Sequence, residues 1–357
     1  MLSQVQLEVG DKTVTPLSDS HQRPTMRHVA ALAGVGIKTV SRVINGEPNV
    51  SEETTAKVLA AAQSLHYVPD PHAGNLRRSD RKTKTIGLLV GNVGNPFAGT
   101  VHRAIEDAAS ARGVAVFASS LDDDPERELA IVSAFLRRRV DGLILTTATK
   151  NQSYLLPDQE RGTRFVFVDR EPVGIEADAV VSDNAVGSSA ATRHLIEHGH
   201  RHIAFLGDRS QIQTARERRR GFLDELGRAG ISTNDVTIIE GLNNEEKARS
   251  AMTALLDSSN APTAVFSSQD LITIGAVRAL RDREMHRSIA LVGFDEFELA
   301  DLLEPAITVV AQDPRRIGAL AAERLFSRLE GDKQAERTYV VKTTLIPRGS
   351  GEIVARG

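Results

Sequence analysis

The stretch that decides the fold runs from Thr25 to Asn45: T-M-R-H-V-A-A-L-A-G-V-G-I-K-T-V-S-R-V-I-N. Its apolar residues recur at helical spacing in two short runs, with Gly34, Val35 and Gly36 between them. Val29, Ala30, Leu32 and Ala33 give the first run an apolar side, and Gly34 suits the left-handed position that ends a helix. Val40, Val43 and Ile44 are expected to face inward from the second run. Small residues at Ala30 and Ala33 allow two helices to cross closely, as a helix-turn-helix requires. Lys38, Thr39, Ser41 and Arg42 are then left outside, a donor-rich face suited to phosphates and base edges.

Charge supports this reading. Between Gln22 and Thr85 lysine and arginine outnumber the carboxylates ten to five, and from Ile86 onward the balance reverses, within a net charge of −3. A basic end on an acidic body is the footprint of nucleic-acid binding by that end alone. The 357 residues contain no cysteine, which excludes disulfides and thiolate metal sites and fits a reducing compartment. No secretory signal or bilayer-length apolar run is evident, so the expectation is a cytoplasmic protein without membrane contact.

Residues 1–22 are polar and aperiodic and are expected to be disordered. Thr25 can cap the first helix, although His28 stands where the acidic half of a capping box belongs. Gly36 is a weak cap for the second helix. Ser51, Glu52 and Glu53 open a third, with Val58, Leu59, Ala62 and Leu65 as its buried stripe. The three helices make a headpiece over 23–69. The basic stretch 70–84 reads as a linker or as a hinge that orders on DNA, with Leu76 as a wedge for the minor groove.

From Thr85 continuous apolar runs alternate with helical stretches, and the cycle occurs twice. This predicts an α/β core of two doubly wound parallel-sheet subdomains over 85–350. The first is expected to span about 85–183 plus 313–335, and the second about 184–312 plus 336–350. Ligands of such folds bind at the carboxyl ends of the strands. Polar residues gather there: Asn92, Asn95 with Phe97, Ser119, Asp169, Arg170, Asp208, Asp270 and Asp295. No dinucleotide fingerprint, P-loop or nucleophile elbow is present. The histidines at 198, 200 and 202 lack an acidic partner, so neither an enzyme, a cofactor nor a metal site is expected.

The chain resembles the LacI/GalR (lactose-repressor) family of bacterial transcription regulators from residue 24 to about 350. The resemblance rests on the 25–45 stretch, V-S-E-E-T (50–54), L-H-Y-V-P-D (65–70) and A-G-N-L-R (73–77). In the core it rests on L-D-D-D-P-E-R-E (121–128), F-V-D-R (167–170), V-S-D-N (181–184), R-R-R-G-F (218–222) and L-V-G-F-D (291–295). It implies an effector-responsive repressor that binds a pseudo-palindromic operator in double-stranded DNA as a homodimer. Ile37 and Lys38 would read bases. Thr25, Thr39, Ser41, Arg42, Asn45 and Arg77 would hold bases or phosphates, and Leu76 would pry open the central step. Arg218 and Asp270 would be the most regular contacts to a small effector, a sugar or related polar metabolite. Asn95, Phe97, Asp169, Arg170 and Asp295 would complete the pocket. The chain departs from the family pattern at Gly36, His28 and Gly74, and at Ala98 and Leu242, where aromatics are usual. The alternative on the same core is a periplasmic-type solute receptor, which would carry a signal peptide and no headpiece.

Overall fold

The computed structural model describes residues 24–68 and 83–355. These fall in two compact units, divided between Arg81 and Lys82.

The first unit holds α1 (Met26–Ala33), α2 (Ile37–Ile44) and α3 (Glu52–Ser64). Val29, Ala30, Val40, Val58, Ala61 and Ala62 form its core. Gly34 ends α1 in the left-handed region, at φ 66°, and the Val35 amide donates back to the Ala30 carbonyl at 3.1 Å. Two inward assignments are corrected. Leu32 is 57% exposed and Leu59 51% exposed, because each lies one step off the three-helix contact. Ala61 takes the buried place expected of Leu59. The missing half of the α1 cap is also supplied: His28 Nδ1 accepts from the Thr25 amide at 3.2 Å, the role expected of a carboxylate.

The second unit opens with β1 (Thr85–Val90), α4 (Pro96–Ser110), β2 (Ala115–Ser120), α5 (Pro125–Arg137), β3 (Gly142–Leu145), α6 (Leu156–Glu160), β4 (Arg164–Val168) and β5 (Asp178–Ser182). It then crosses to α7 (Asn184–Glu197), β6 (Ile203–Leu206), α8 (Gln213–Arg228), β7 (Thr237–Ile239) and α9 (Glu245–Leu256). β8 (Ala264–Ser267), α10 (Asp270–Asp282), β9 (Ala290–Phe294) and β10 (Thr308–Ala311) complete that run. The chain returns for α11 (Pro314–Leu329) and β11 (Thr338–Val341), and crosses a last time to β12 (Thr344–Ile346).

The first sheet has the order β11-β5-β4-β3-β1-β2 and the second β12-β10-β9-β8-β6-β7. All pairs are parallel except β10 with β12. Each sheet is sandwiched between helices, with one hydrophobic core on either face. The central strands are buried on both faces, which explains their unbroken apolar runs. β2 is an edge strand, and Phe117 on it is 44% exposed. β11 corrects the expected boundary near residue 335. It pairs with β5 in the first lobe, so the third crossover lies between Val341 and Thr344. Its exposure alternates along T-Y-V-V, and this short edge pattern does not reveal which sheet it joins.

Three segments thus join the lobes, and side chains lace them together. The Thr343 amide donates to Asp183 Oδ1 at 2.7 Å. Ser182 Oγ donates to Gln312 Oε1. Gln312 in turn donates from Nε2 to Asp295 Oδ1 at 2.6 Å.

Candidate functional sites

On the headpiece, α2 has one apolar side against the core and one open side. Ile37, at 46% exposure, is a large apolar residue left outside in the first turn. Thr25, Lys38, Arg42 and Asn45 are exposed, and Thr39 and Ser41 are half-buried. Asn45 Nδ2 donates to Ser41 Oγ at 3.3 Å. Arg42 meets Glu47 only at 3.8 Å, with both side chains more than half exposed, so its guanidinium can turn to another anion at little cost. The expected DNA-reading residues of this unit are therefore open or partly open to solvent. Leu76 and Arg77 lie outside the described residues, as do most of the 70–84 stretch and residues 1–22.

In the core a cavity of about 220 Å³ lies between the carboxyl ends of the two sheets. Asn95, Phe97, Asp169, Arg170, Arg218 and Asp295 all line it. Asp169 and Asp295 hold matching places, directly after β4 and β9, and both adopt left-handed backbone, φ 70° and 72°. That turn swings each carboxylate off its strand end. Arg218, on α8, is fixed on three sides. Nε donates to Asn184 Oδ1 at 2.8 Å and Nη1 to the Ser268 carbonyl at 2.7 Å. Its guanidinium carbon sits 3.9 Å from the Phe294 ring centre, and Asp295 lies 3.6 Å away.

Asp270 is placed differently from the expectation. It is fully buried and does not line the cavity; the neighbouring Gln269 and Leu271 do. Its Oδ1 accepts from the Leu271 amide at 2.7 Å and from Asn95 Nδ2 at 2.9 Å. The second contact joins the lobes. Oδ2 finds no hydrogen-bond partner among the described residues. Burial, then repulsion from Asp295, pushes this carboxyl up to about 7. Burial likewise raises Asp169 and Asp208.

The sequence reading missed Asp123, Arg209 and Gln312. Asp123 Oδ1 accepts from Arg170 Nη2 at 2.6 Å, and Oδ2 accepts from Arg209 Nη2 across the cleft at 2.5 Å. A signal for Asp123 exists in L-D-D-D-P: Asp124 is used as the α5 cap, which leaves the two preceding aspartates for other work. Ala98 and Leu242 are buried in the cores, and Phe97 is the one aromatic lining the cavity among the described residues. No helix among the described residues is long and apolar enough to cross a membrane, and none of their His, Asp and Glu side chains cluster as a metal site. His200 is occupied by Thr263 Oγ1 at 2.9 Å and the Ile353 carbonyl at 2.7 Å.

A donor-rich recognition helix and a two-lobed cleft define a ligand-responsive DNA-binding protein. Comparison with known proteins agrees. Residues 25–70 match the bacterial regulatory proteins of the lacI family, and residues 192–351 the periplasmic binding protein-like domain. The ribose operon repressor of Escherichia coli strain K12 is 32% identical over 333 residues, covering 91% of this chain and 99% of that protein. The Lac repressor dimer bound to operator and the anti-inducer ONPF superposes with a TM-score of 0.80 at 25% identity, covering 94% and 100%. The complex of the transcriptional regulator CelR with cellobiose superposes at 0.65 and 31% identity, covering 92% and 100%. The chain belongs to the LacI family. It is a DNA-binding transcriptional regulator rather than an enzyme or a solute receptor.

Proposed function

We propose that this protein is a cytoplasmic repressor that binds a pseudo-palindromic operator as a homodimer, releasing or tightening its grip when a polyhydroxylated effector enters the core cleft. Two copies of the α2 face would read two half-sites, symmetry matching symmetry. Ile37 and Lys38 are assigned to base edges, and Thr25, Thr39, Ser41, Arg42 and Asn45 to bases and phosphates. Leu76 and Arg77 keep, by resemblance alone, the roles of wedge and backbone contact.

One observation carries the effector half of this reading: Arg218 and Asp295 face the cavity together, and Asp295 is tied through Gln312 to Ser182 at the crossovers. A carboxylate accepts from hydroxyls and a fixed guanidinium donates to them. Asp169 and Arg170 stand opposite, and Phe97 can lie against a ring. Asp270 holds the lobes together through Asn95 instead of touching the ligand, while Asn95 itself lines the cavity. The cellobiose bound by the regulator CelR, and the ribose operon for which another relative is named, support a carbohydrate-like effector. A ligand changes operator affinity only by binding one lobe arrangement better than another, and the laced crossovers supply a route.

The test is a mobility shift with a palindromic fragment from DNA adjoining the gene, run with and without a panel of sugars. Retarded DNA whose midpoint moves with one sugar supports the proposal. A protein that binds no DNA, or whose DNA binding responds to no small molecule, overturns it.

A further inference from the structure

The cleft has a second compartment. Asp123, Arg170 and Arg209 line the inner cavity on one side and, on the other, an outer chamber of about 850 Å³ between the same two lobes. Small-molecule sites commonly span about 300–1,000 Å³. The inner cavity falls below that range and the outer chamber within it, so the trio forms a partition inside one site rather than its wall.

The compartments differ in charge. Asp122, Asp169, Asp208 and Asp295 open only on the inner side. The outer side adds Lys150 and Arg216 against Glu171. On the partition two guanidinium groups share a single carboxylate, each using one Nη2. The Nε atoms of Arg170 and Arg209 are both buried, and neither finds a hydrogen-bond partner among the described residues. Arg170 as a whole is only 8% exposed. The nearest acids, Asp169 and Asp208, stand 3.7 Å from those nitrogens, beyond hydrogen-bond reach. Arginine grips an anion best through a parallel pair of N–H bonds. Arg170 also donates from Nη1 to the Thr147 carbonyl, so on each arginine it is the Nε–Nη2 edge that is half used, and a buried donor without a partner is costly.

We propose that the effector carries an anionic group, a phosphate or a carboxylate, on its polyhydroxylated body. The hydroxyls occupy the inner cavity and donate to Asp169 and Asp295. The anion takes the place of the Asp123 carboxylate across Arg170 and Arg209, opening the partition, and Lys150 and Arg216 add to its field from the outer side. Arg209 belongs to the opposite lobe from Asp123, so the incoming anion preserves the bridge between lobes while Asp123 is released. This inference rests on the reading of the cleft as the effector site.

Calorimetry on the full-length protein, with matched probes, separates the two. The probes are glucose, glucose 6-phosphate, gluconate and glucosamine, with ribose and ribose 5-phosphate as a pentose pair. An anionic probe should bind at least about tenfold more tightly than its neutral parent, the size of one added charge-assisted hydrogen bond. Whether phosphate or carboxylate is preferred identifies the source of the anion. Arg209→Gln should bring the ratio of anionic to neutral affinity close to one, and Arg209→Lys should retain part of it. Operator binding without ligand shows that each variant is folded. Equal or tighter binding of a neutral sugar or of glucosamine overturns the inference while leaving the cleft reading intact, as does a preference that survives Arg209→Gln. Failure of every probe to bind a protein that still holds operator overturns both.

Discussion

Asn95 of the first lobe donates from Nδ2 to Asp270 Oδ1 of the second at 2.9 Å, and the other oxygen of that carboxyl has no partner among the described residues. The bond holds the lobes together through a group that burial keeps protonated to about pH 7. A folded-state value raised above the unfolded one gives stability that is complete in acid and lost as pH rises. Unfolding free energy should therefore fall between about pH 4 and 7, by up to about 1.4 kcal/mol per unit. Asp169 and Asp208, also raised by burial, add in the same direction. Asp270→Asn keeps the acceptor and removes the charge. It should flatten this part of the profile and raise the melting temperature at pH 8; a variant less stable than the parent at pH 8 contradicts the assignment.

Ser182 does not line the cleft, and its hydroxyl reaches it through Gln312. Ser182→Ala should leave effector affinity nearly unchanged and weaken the response of operator binding to effector by about fivefold, the scale of one lost hydrogen bond. Titration of operator at zero and saturating effector measures the ratio. An undiminished ratio means the crossover lacing does not transmit the signal.

On the headpiece, Lys38 and Arg42 should fail in different ways. Lys38→Ala is expected to cost about 1–3 kcal/mol on the specific operator and to relax preference at one base position. Arg42→Ala should weaken all sequences alike and lower the salt dependence by about one counterion. Binding isotherms at several salt concentrations on matched and mutated operators tell the two apart.

How far the sequence could be read depends on which residues are concerned. The central strands announce themselves, because burial on both faces leaves only apolar residues, as in I-G-L-L-V at 86–90. The ends of such strands mark a ligand cleft, so Asp169, Arg170 and Asp295 were legible, whereas Arg218, inside α8, was named only through the family resemblance. Helix surfaces were read less well: Leu32 and Leu59 match the apolar spacing yet face outward, since the angle at which the helices cross decides the stripe. Asp270 shows the same limit at a site, for a strand-end acid can equally well cap a helix and bind the other lobe. Asp123 and Arg209 were hidden because they meet from loops 86 residues apart, and only the closed arrangement of the lobes pairs them.

Glycine marks where the helices of the core approach one another. A Cβ on Gly221 of α8 would lie 2.1 Å from the Ala185 carbonyl oxygen, one on Gly275 of α10 2.4 Å from that of Glu245, and one on Gly318 of α11 2.6 Å from that of Val101. The obstacle is backbone each time, so a methyl group forces the helices apart. Gly221→Ala should destabilise by at least about 1–3 kcal/mol and lower effector affinity by moving Arg218, one turn earlier on the same helix. Gly227, with open space at its Cβ position, is the control: Gly227→Ala should leave stability equal or improved. Denaturant melts of the pair decide this.

The return of the chain for α11 and β11 bears on how the molecule is made. Domains generally fold as units as they leave the ribosome, the amino-terminal ones first. Here the first lobe lacks one of its helices and an edge strand until residue 341 has been synthesised, and the second gains β12 only after that. Neither half of the sensor can be finished until the chain has returned through α11 and β11. A nascent chain that stalls in the preceding connection carries a DNA-reading segment with no completed sensor to govern it, and a nonsense mutation there would yield the same ungoverned product.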